Sequence, residues 1–177
     1  QTLIYGVEPK GAPSMTYAFK NGRPIQLENI DAFVDGASIS KVGDLTYDLC
    51  KKYLNDIFLV DNGRIFNEML ELYQEDGIIV EPAGCLSICG LDELSSKTNL
   101  TGKNIVCIVS GGNNDIMRYP EILEKNKRYL GLKHYYIIEF SQRPLELNRF
   151  ISKVLGEKDD ITRFEYIKKT NKTFGNV

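Results

Sequence analysis

Ser110 stands directly after the mostly apolar run "NIVCIV" (104–109) and is followed by Gly111, Gly112, Asn113, Asn114 and Asp115. The apolar run predicts a core strand. A hydroxyl just past the end of such a strand can hydrogen-bond one polar ligand atom. In open α/β sheets that is where ligands bind. Gly111 and Gly112 let the backbone approach closely, although a turn needing positive φ explains them equally well.

Glu81 is the second candidate, in "IIVEPAG" (78–84). A carboxylate closing an apolar strand can act electrostatically at a site, or can merely hold loop amides. Gly36, in "FVDGAS" (33–38), allows close packing against a planar ligand, or an ordinary turn. Glu8, in "VEPKGA" (7–12), is a weak candidate for a cation ligand.

Other chemistries lack their residues. No Ser-His-Asp group, P-loop or G-x-G-x-x-G fingerprint is present. The lysines fall in polar loops and on outward helix faces, settings that suggest no activated amine. The cysteines at 50, 85, 89 and 107, with His134 the one histidine, lack zinc spacing. They read as buried cytosolic thiols, and no metal is expected.

The elements that must position these residues come next. At 177 residues, 42% hydrophobic and 26% charged, the chain holds one ordinary domain or parts of two. A net charge of −2 gives no reason to invoke nucleic acid or a membrane surface. No transmembrane run, signal peptide or transit peptide is recognised. The chain opens at Gln1 inside an expected strand and stops as another should begin, so both ends are expected to be cut.

Strands are expected at 2–9, 57–60, 78–82 and 104–109. Ser14 is expected to cap a short helix through Phe19, and Asp44 a second with Leu45, Leu49, Tyr53 and Leu54 on one face. Ile65, Phe66, Met69, Leu70 and Tyr73 predict the clearest helix, with Glu68, Glu71 and Glu75 facing outward and Gly77 as its stop. "AGCLSICGLDEL" predicts a small-residue helix close to the sheet, and Pro120 opens another. After Gly131 the pattern changes to a β-α-β piece: strand 134–140, helix 143–156, strand 159–169. The expected boundary therefore separates residues 1–131 from 132–177.

Taken in order, "GVEPKGA", "FVDGAS…VGDLTYDLC", "GIIVEPAGCLS", "KNIVCIVSGGNND", "GLKHYYIIEFSQRP" and "DDITRFEYIKK" resemble the biosynthetic threonine dehydratases (threonine ammonia-lyases). These belong to the tryptophan-synthase-β-like, fold type II, pyridoxal-phosphate enzymes. The resemblance covers essentially the whole chain. It implies an α/β fold: the second half of a three-layer catalytic domain (1–131), then the start of an ACT-like α+β regulatory domain (132–177).

The resemblance also implies roles. Ser110 would hydrogen-bond the pyridine nitrogen of pyridoxal 5'-phosphate, with Gly36 against the cofactor, Glu81 near ring or substrate, and Gly111 beside it. A neutral hydroxyl leaves that nitrogen unprotonated, which suits β-elimination over transamination. The implied reaction converts L-threonine to 2-oxobutanoate and ammonia, the committed step toward isoleucine. The implied enzyme is cytoplasmic and a homo-oligomer, commonly a tetramer, with isoleucine or valine as effectors. Arg143, Pro144 and Leu145 fall on the regulatory loop.

Four departures stand out. The family's Schiff-base lysine segment, Ser-Phe-Lys-x-Arg-Gly-Ala, and its glycine-rich phosphate loop have no counterpart here, so this segment alone is expected to be inactive. "RPLEL" (143–147) replaces Arg-Pro-Gly-Ala-Leu, and Ser14 falls near the position of a second cation-binding carboxylate. Two other functions suit the same residues: serine/threonine dehydratase or racemase chemistry on this fold, or a non-catalytic small-molecule-binding remnant.

Overall fold

The computed structural model describes residues 2–141 and 143–167, and the chain divides into two compact units, Gln1–His134 and Tyr135–Val177. In the first unit β1 (Tyr5–Pro9) leads through α1 (Ser14–Asn21) and α2 (Asp44–Tyr53) to β2 (Asp56–Val60). The strands pair in parallel, with Val7 opposite Phe58. A parallel pair needs a crossover of this kind because a tight hairpin cannot reverse the chain twice. Then come α3 (Asn62–Asp76), α4 (Leu86–Lys97), a 3₁₀ turn (Ile116–Arg118) and α5 (Tyr119–Tyr129).

Helix α3 is the centre of the core. Asp61 caps it, its side chain accepting the Gly63 N–H at 2.9 Å, and Gly77 ends it in the left-handed conformation at φ 68°. Ile65 and Met69 are fully buried, each worth on the order of 2 kcal/mol of apolar burial. Helix α4 covers both strands, and α5 packs on α3 through the buried Ile122. The approach of α4 to the sheet depends on Gly90, where an added Cβ would lie 2.6 Å from Val7 Cγ2.

Several local expectations differ from what is found. Residues 78–82, 104–109, 134–140 and 159–167 carry no ladder among the described residues; 168 and 169 lie outside them. A strand exists only through a hydrogen-bonded neighbour. Without one much of their apolar surface lies open: Val106 is 88% exposed and Ile137 fully exposed, although Val80 of the 78–82 run is fully buried in the core. Cys107 is accordingly only partly buried, like Cys50, whereas Cys85 and Cys89 are buried.

Ser14 and Asp44 are first-turn residues, not caps. Pro13 and Gly43 hold the cap positions without side-chain cap bonds. In α2 the buried side is Tyr47, packed with Ala18 and Val42, while Leu45, Leu49 and Tyr53 face outward. Tyr73 is also exposed. Glu68 is buried rather than outward, because Arg64 one turn earlier pairs with it at 2.7 Å and reaches Asp92 of α4 at 2.7 Å. Burial alone would lower the Arg64 pKa, but its hydrogen bonds to Asp92 and Glu68 outweigh that and hold it raised. The Cys89 thiol is held protonated by its hydrogen bond with Cys85 and by burial.

In the second unit α6 spans Glu146–Val154, and Phe140 and Phe150 meet edge to face at 5.6 Å. Leu145 precedes the helix at φ 75°, the one described non-glycine residue in the left-handed region.

Candidate functional site

Three loops of the first unit meet at one corner: 33–38, 81–84 and 110–114. Two reciprocal backbone bonds join the last two. The Ser110 N–H donates to the Gly84 carbonyl and the Glu81 N–H to the Gly111 carbonyl, each at 3.3 Å. The segment between α3 and α4 is thereby held against the serine loop. Ser87 Oγ donates to the Ile108 carbonyl at 2.8 Å and Asn114 Nδ2 to the Val80 carbonyl at 3.2 Å, extending the seam on both sides.

Glycine is required where the loops touch. A Cβ on Gly84 would run into the Ser110 carbonyl and lie 2.8 Å from that of Gly111. Gly111, at φ 74°, has the Glu81 carboxylate directly against the position its Cβ would take. Gly36 closes the corner from the third loop, its Cβ position 2.9 Å from Ala83 Cβ and 3.5 Å from Glu81 Oε1. Ser110, Gly111, Glu81 and Gly36 are therefore neighbours, although 75 positions of sequence separate the first glycine of this set from the last. Ser110 is exposed and Glu81 half-buried.

Glu8 stands elsewhere and serves the fold. Its two oxygens accept the Met15 and Thr16 N–H groups at 2.7 and 2.9 Å, Thr16 Oγ1 at 2.8 Å and Ser14 Oγ at 3.4 Å. These donors take up the carboxylate's roughly four acceptor positions at the positive end of α1. Among the described residues no three His, Cys, Asp or Glu side chains are grouped to hold a metal. Arg143, Pro144 and Leu145 lie in the second unit. The Arg143 N–H donates to the Ser141 carbonyl at 2.8 Å, and the Leu145 carbonyl accepts from Arg149 N–H at 2.9 Å, opening α6.

The corner also uses residues the sequence reading did not single out. Gly84 was legible in principle, as the glycine of a Pro-Ala-Gly turn before a helix. Asn114 was visible only as part of the polar loop. Arg118, which reaches loop 33–38, carries no local signal at all.

The family model described as pyridoxal-phosphate dependent enzyme matches residues 1–111, and that of the C-terminal regulatory domain of threonine dehydratase matches residues 124–177. The biosynthetic L-threonine dehydratase IlvA of Halalkalibacterium halodurans is 50% identical over 177 residues, covering all of this chain and 42% of that protein. Among solved structures, the processed form of threonine deaminase isoform 2 from Solanum lycopersicum aligns with a TM-score of 0.66 at 34% identity, over 70% of this chain and 36% of that one. Maize serine racemase aligns with a TM-score of 0.60 at 28% identity, over 70% of this chain and 39% of that one. The chain thus spans about two-fifths of the length of the curated relatives it matches. Its architecture combines part of a fold type II catalytic domain with sequence of the threonine dehydratase regulatory domain. The chain belongs to the family of pyridoxal-phosphate dependent enzymes.

Proposed function

We propose that the protein carrying this chain is a biosynthetic threonine ammonia-lyase, converting L-threonine to 2-oxobutanoate and ammonia. The observation that carries this is the meeting of Ser110, Gly111, Glu81 and Gly36 in one corner. The corner fits pyridoxal phosphate. Its exposed Ser110 supplies a hydroxyl, and Asn114 Oδ1 is buried without a hydrogen-bond partner. Ser110, Gly36, Glu81 and Gly111 would hold the cofactor there. When bound, it supplies an electron sink for the carbon next to the substrate amine.

The chain's own residues tune that chemistry. Ser110 would offer the cofactor's ring nitrogen a neutral hydroxyl, which brings no full charge to it. A carboxylate in that place would strengthen the sink and favour transamination; a hydroxyl favours loss of the β-hydroxyl. Glu81 would bring a carboxyl group near the cofactor or substrate, its backbone held by the bond from its N–H to the Gly111 carbonyl. No lysine occurs in loops 33–38, 81–84 or 110–114. An amine to tether the cofactor would have to come from outside these three loops.

Residues 132–177 would begin the ACT-like regulatory domain, with Arg143, Pro144 and Leu145 on the loop that meets isoleucine or valine. The match of residues 124–177 to a regulatory domain supports this. The whole enzyme would be a cytoplasmic homotetramer; among the described residues no helix is long and apolar enough to cross a membrane.

The test is a substrate panel on the complete gene product with pyridoxal phosphate. L-threonine should be consumed in preference to L-serine, releasing 2-oxobutanoate and ammonia in equal amounts. Turnover of cystathionine or O-acetylserine with threonine untouched would overturn this function. Interconversion of L- and D-serine as the main activity would favour the racemase instead.

A further inference from the structure

Arg118 joins two of the three loops. It ends the 3₁₀ turn Ile116–Arg118, which follows the serine loop directly. Asp115 fixes that turn by accepting the Met117 N–H at 2.9 Å. From there Nη2 donates to the Phe33 carbonyl at 2.9 Å, across 85 positions of sequence. Nη1 lies 3.8 Å from Asp35 Oδ1, and the guanidinium sits over the Phe33 ring at 4.6 Å. The same Asp35 oxygen accepts the Gly36 N–H at 3.1 Å. Phe33 in turn meets Phe66 of α3 edge to face at 4.7 Å, which ties the loop to the core.

We propose that Arg118 is a positioning residue that holds the Gly36 loop against the Ser110 loop, and so sets how tightly the corner grips its cofactor. This rests on the function proposed above. The guanidinium suits the task because one planar fork serves a carbonyl and a carboxylate while its face stacks on an aromatic ring. A lysine at 118 reaches only one of these partners at a time. Asp35 is the relay: its carboxylate faces Arg118 and holds the Gly36 amide, so loss of either partner loosens Gly36.

The experiment uses the complete gene product, stripped of cofactor, with R118M, R118K and D35N variants. Hydrogen exchange at amides 36–38 is one readout and titration with pyridoxal phosphate the other. R118M should speed exchange at 36–38 by about ten-fold and weaken cofactor binding by a similar factor, as expected for a coupled network. Exchange in α3 should stay as in the unaltered protein, which separates loosening from misfolding. R118K should fall between, and D35N combined with R118M should add little to R118M alone. Unaltered exchange at 36–38 in R118M would overturn the proposal, as would faster exchange with unaltered cofactor affinity. If the unaltered protein does not bind pyridoxal phosphate, the proposed function fails, and the exchange result still decides whether Arg118 holds the loop.

Discussion

The Ser110 N–H donates to the carbonyl of Gly84 at 3.3 Å, and nothing larger than hydrogen fits on Gly84 beside the Ser110 carbonyl. This contact fixes where the candidate hydroxyl sits. A loop that would otherwise be free to drift is tied to the first turn before α4, and α4 is itself packed on both strands. The position of Ser110 thus traces back to the core.

Gly84→Ala is the direct probe of that contact. The added methyl meets the backbone carbonyls of Ser110 and Gly111, and neither can rotate away as a side chain would. Thermal unfolding of the complete protein should report a loss of about 1–3 kcal/mol, with cofactor affinity falling along with it. Full retention of both would mean the two loops are not in contact.

Glu8 provides a contrast between fold and chemistry. Glu8→Ala removes the acceptor for two α1 amides and two hydroxyls, and should cost about 1–2 kcal/mol of stability by denaturant titration. Glu8→Gln keeps an acceptor oxygen and should cost less. Chelators should leave the stability of the unaltered protein unchanged; a large drop on chelation would assign Glu8 to a cation instead.

Leu145 tests a departure seen first in the sequence. The family pattern has glycine where this chain has leucine, and the residue nonetheless keeps φ 75°. The left-handed conformation costs a residue with a Cβ about 1–2 kcal/mol, partly offset by the flexibility a glycine adds to the unfolded chain. Leu145→Gly should therefore stabilise by about 0.5–1 kcal/mol, read from the denaturation midpoint. Destabilisation would show that the Leu145 side chain, 78% exposed here, is covered in the complete protein.

The buried thiols give a pH dependence. Cys89 is held protonated by its hydrogen bond with Cys85 and by burial, so its folded pKa lies above its unfolded one. Its stabilising contribution is complete below the ordinary thiol value of about 8.5 and is lost as pH rises above it, because the unfolded chain then gives up the proton first. Stability measured from pH 7 to 10 should fall over the alkaline half, and less steeply in Cys89→Ala. An equal slope in the variant would remove Cys89 as the cause.

Helices were legible because each closes its own hydrogen bonds. The apolar spacing of Ile65, Phe66, Met69 and Leu70 with the Gly77 stop marked α3, and Pro120 marked α5. Strands depend on neighbours far along the chain, so "NIVCIV" and "HYYIIEF" read as strands in sequence yet lie without ladders here. The outward stripe of α2 and the inward Glu68 failed for a related reason. What covers Leu45, or what pairs with Glu68, is decided by tertiary partners and not by spacing. At the site, Ser110, Gly111, Glu81 and Gly36 were marked by residue type at strand ends and turns. Arg118 was not, since an arginine's role is set by what it reaches, and its partners lie some 85 positions away.

The most direct test replaces the hydroxyl itself. In the complete gene product with pyridoxal phosphate, Ser110→Ala should lower turnover of L-threonine by about 10- to 100-fold, as loss of one preorganised polar contact does. It should leave the unfolding midpoint unchanged, because Ser110 is exposed and its backbone bond to Gly84 survives. Turnover equal to that of the unaltered protein would contradict the assignment of Ser110 to the cofactor.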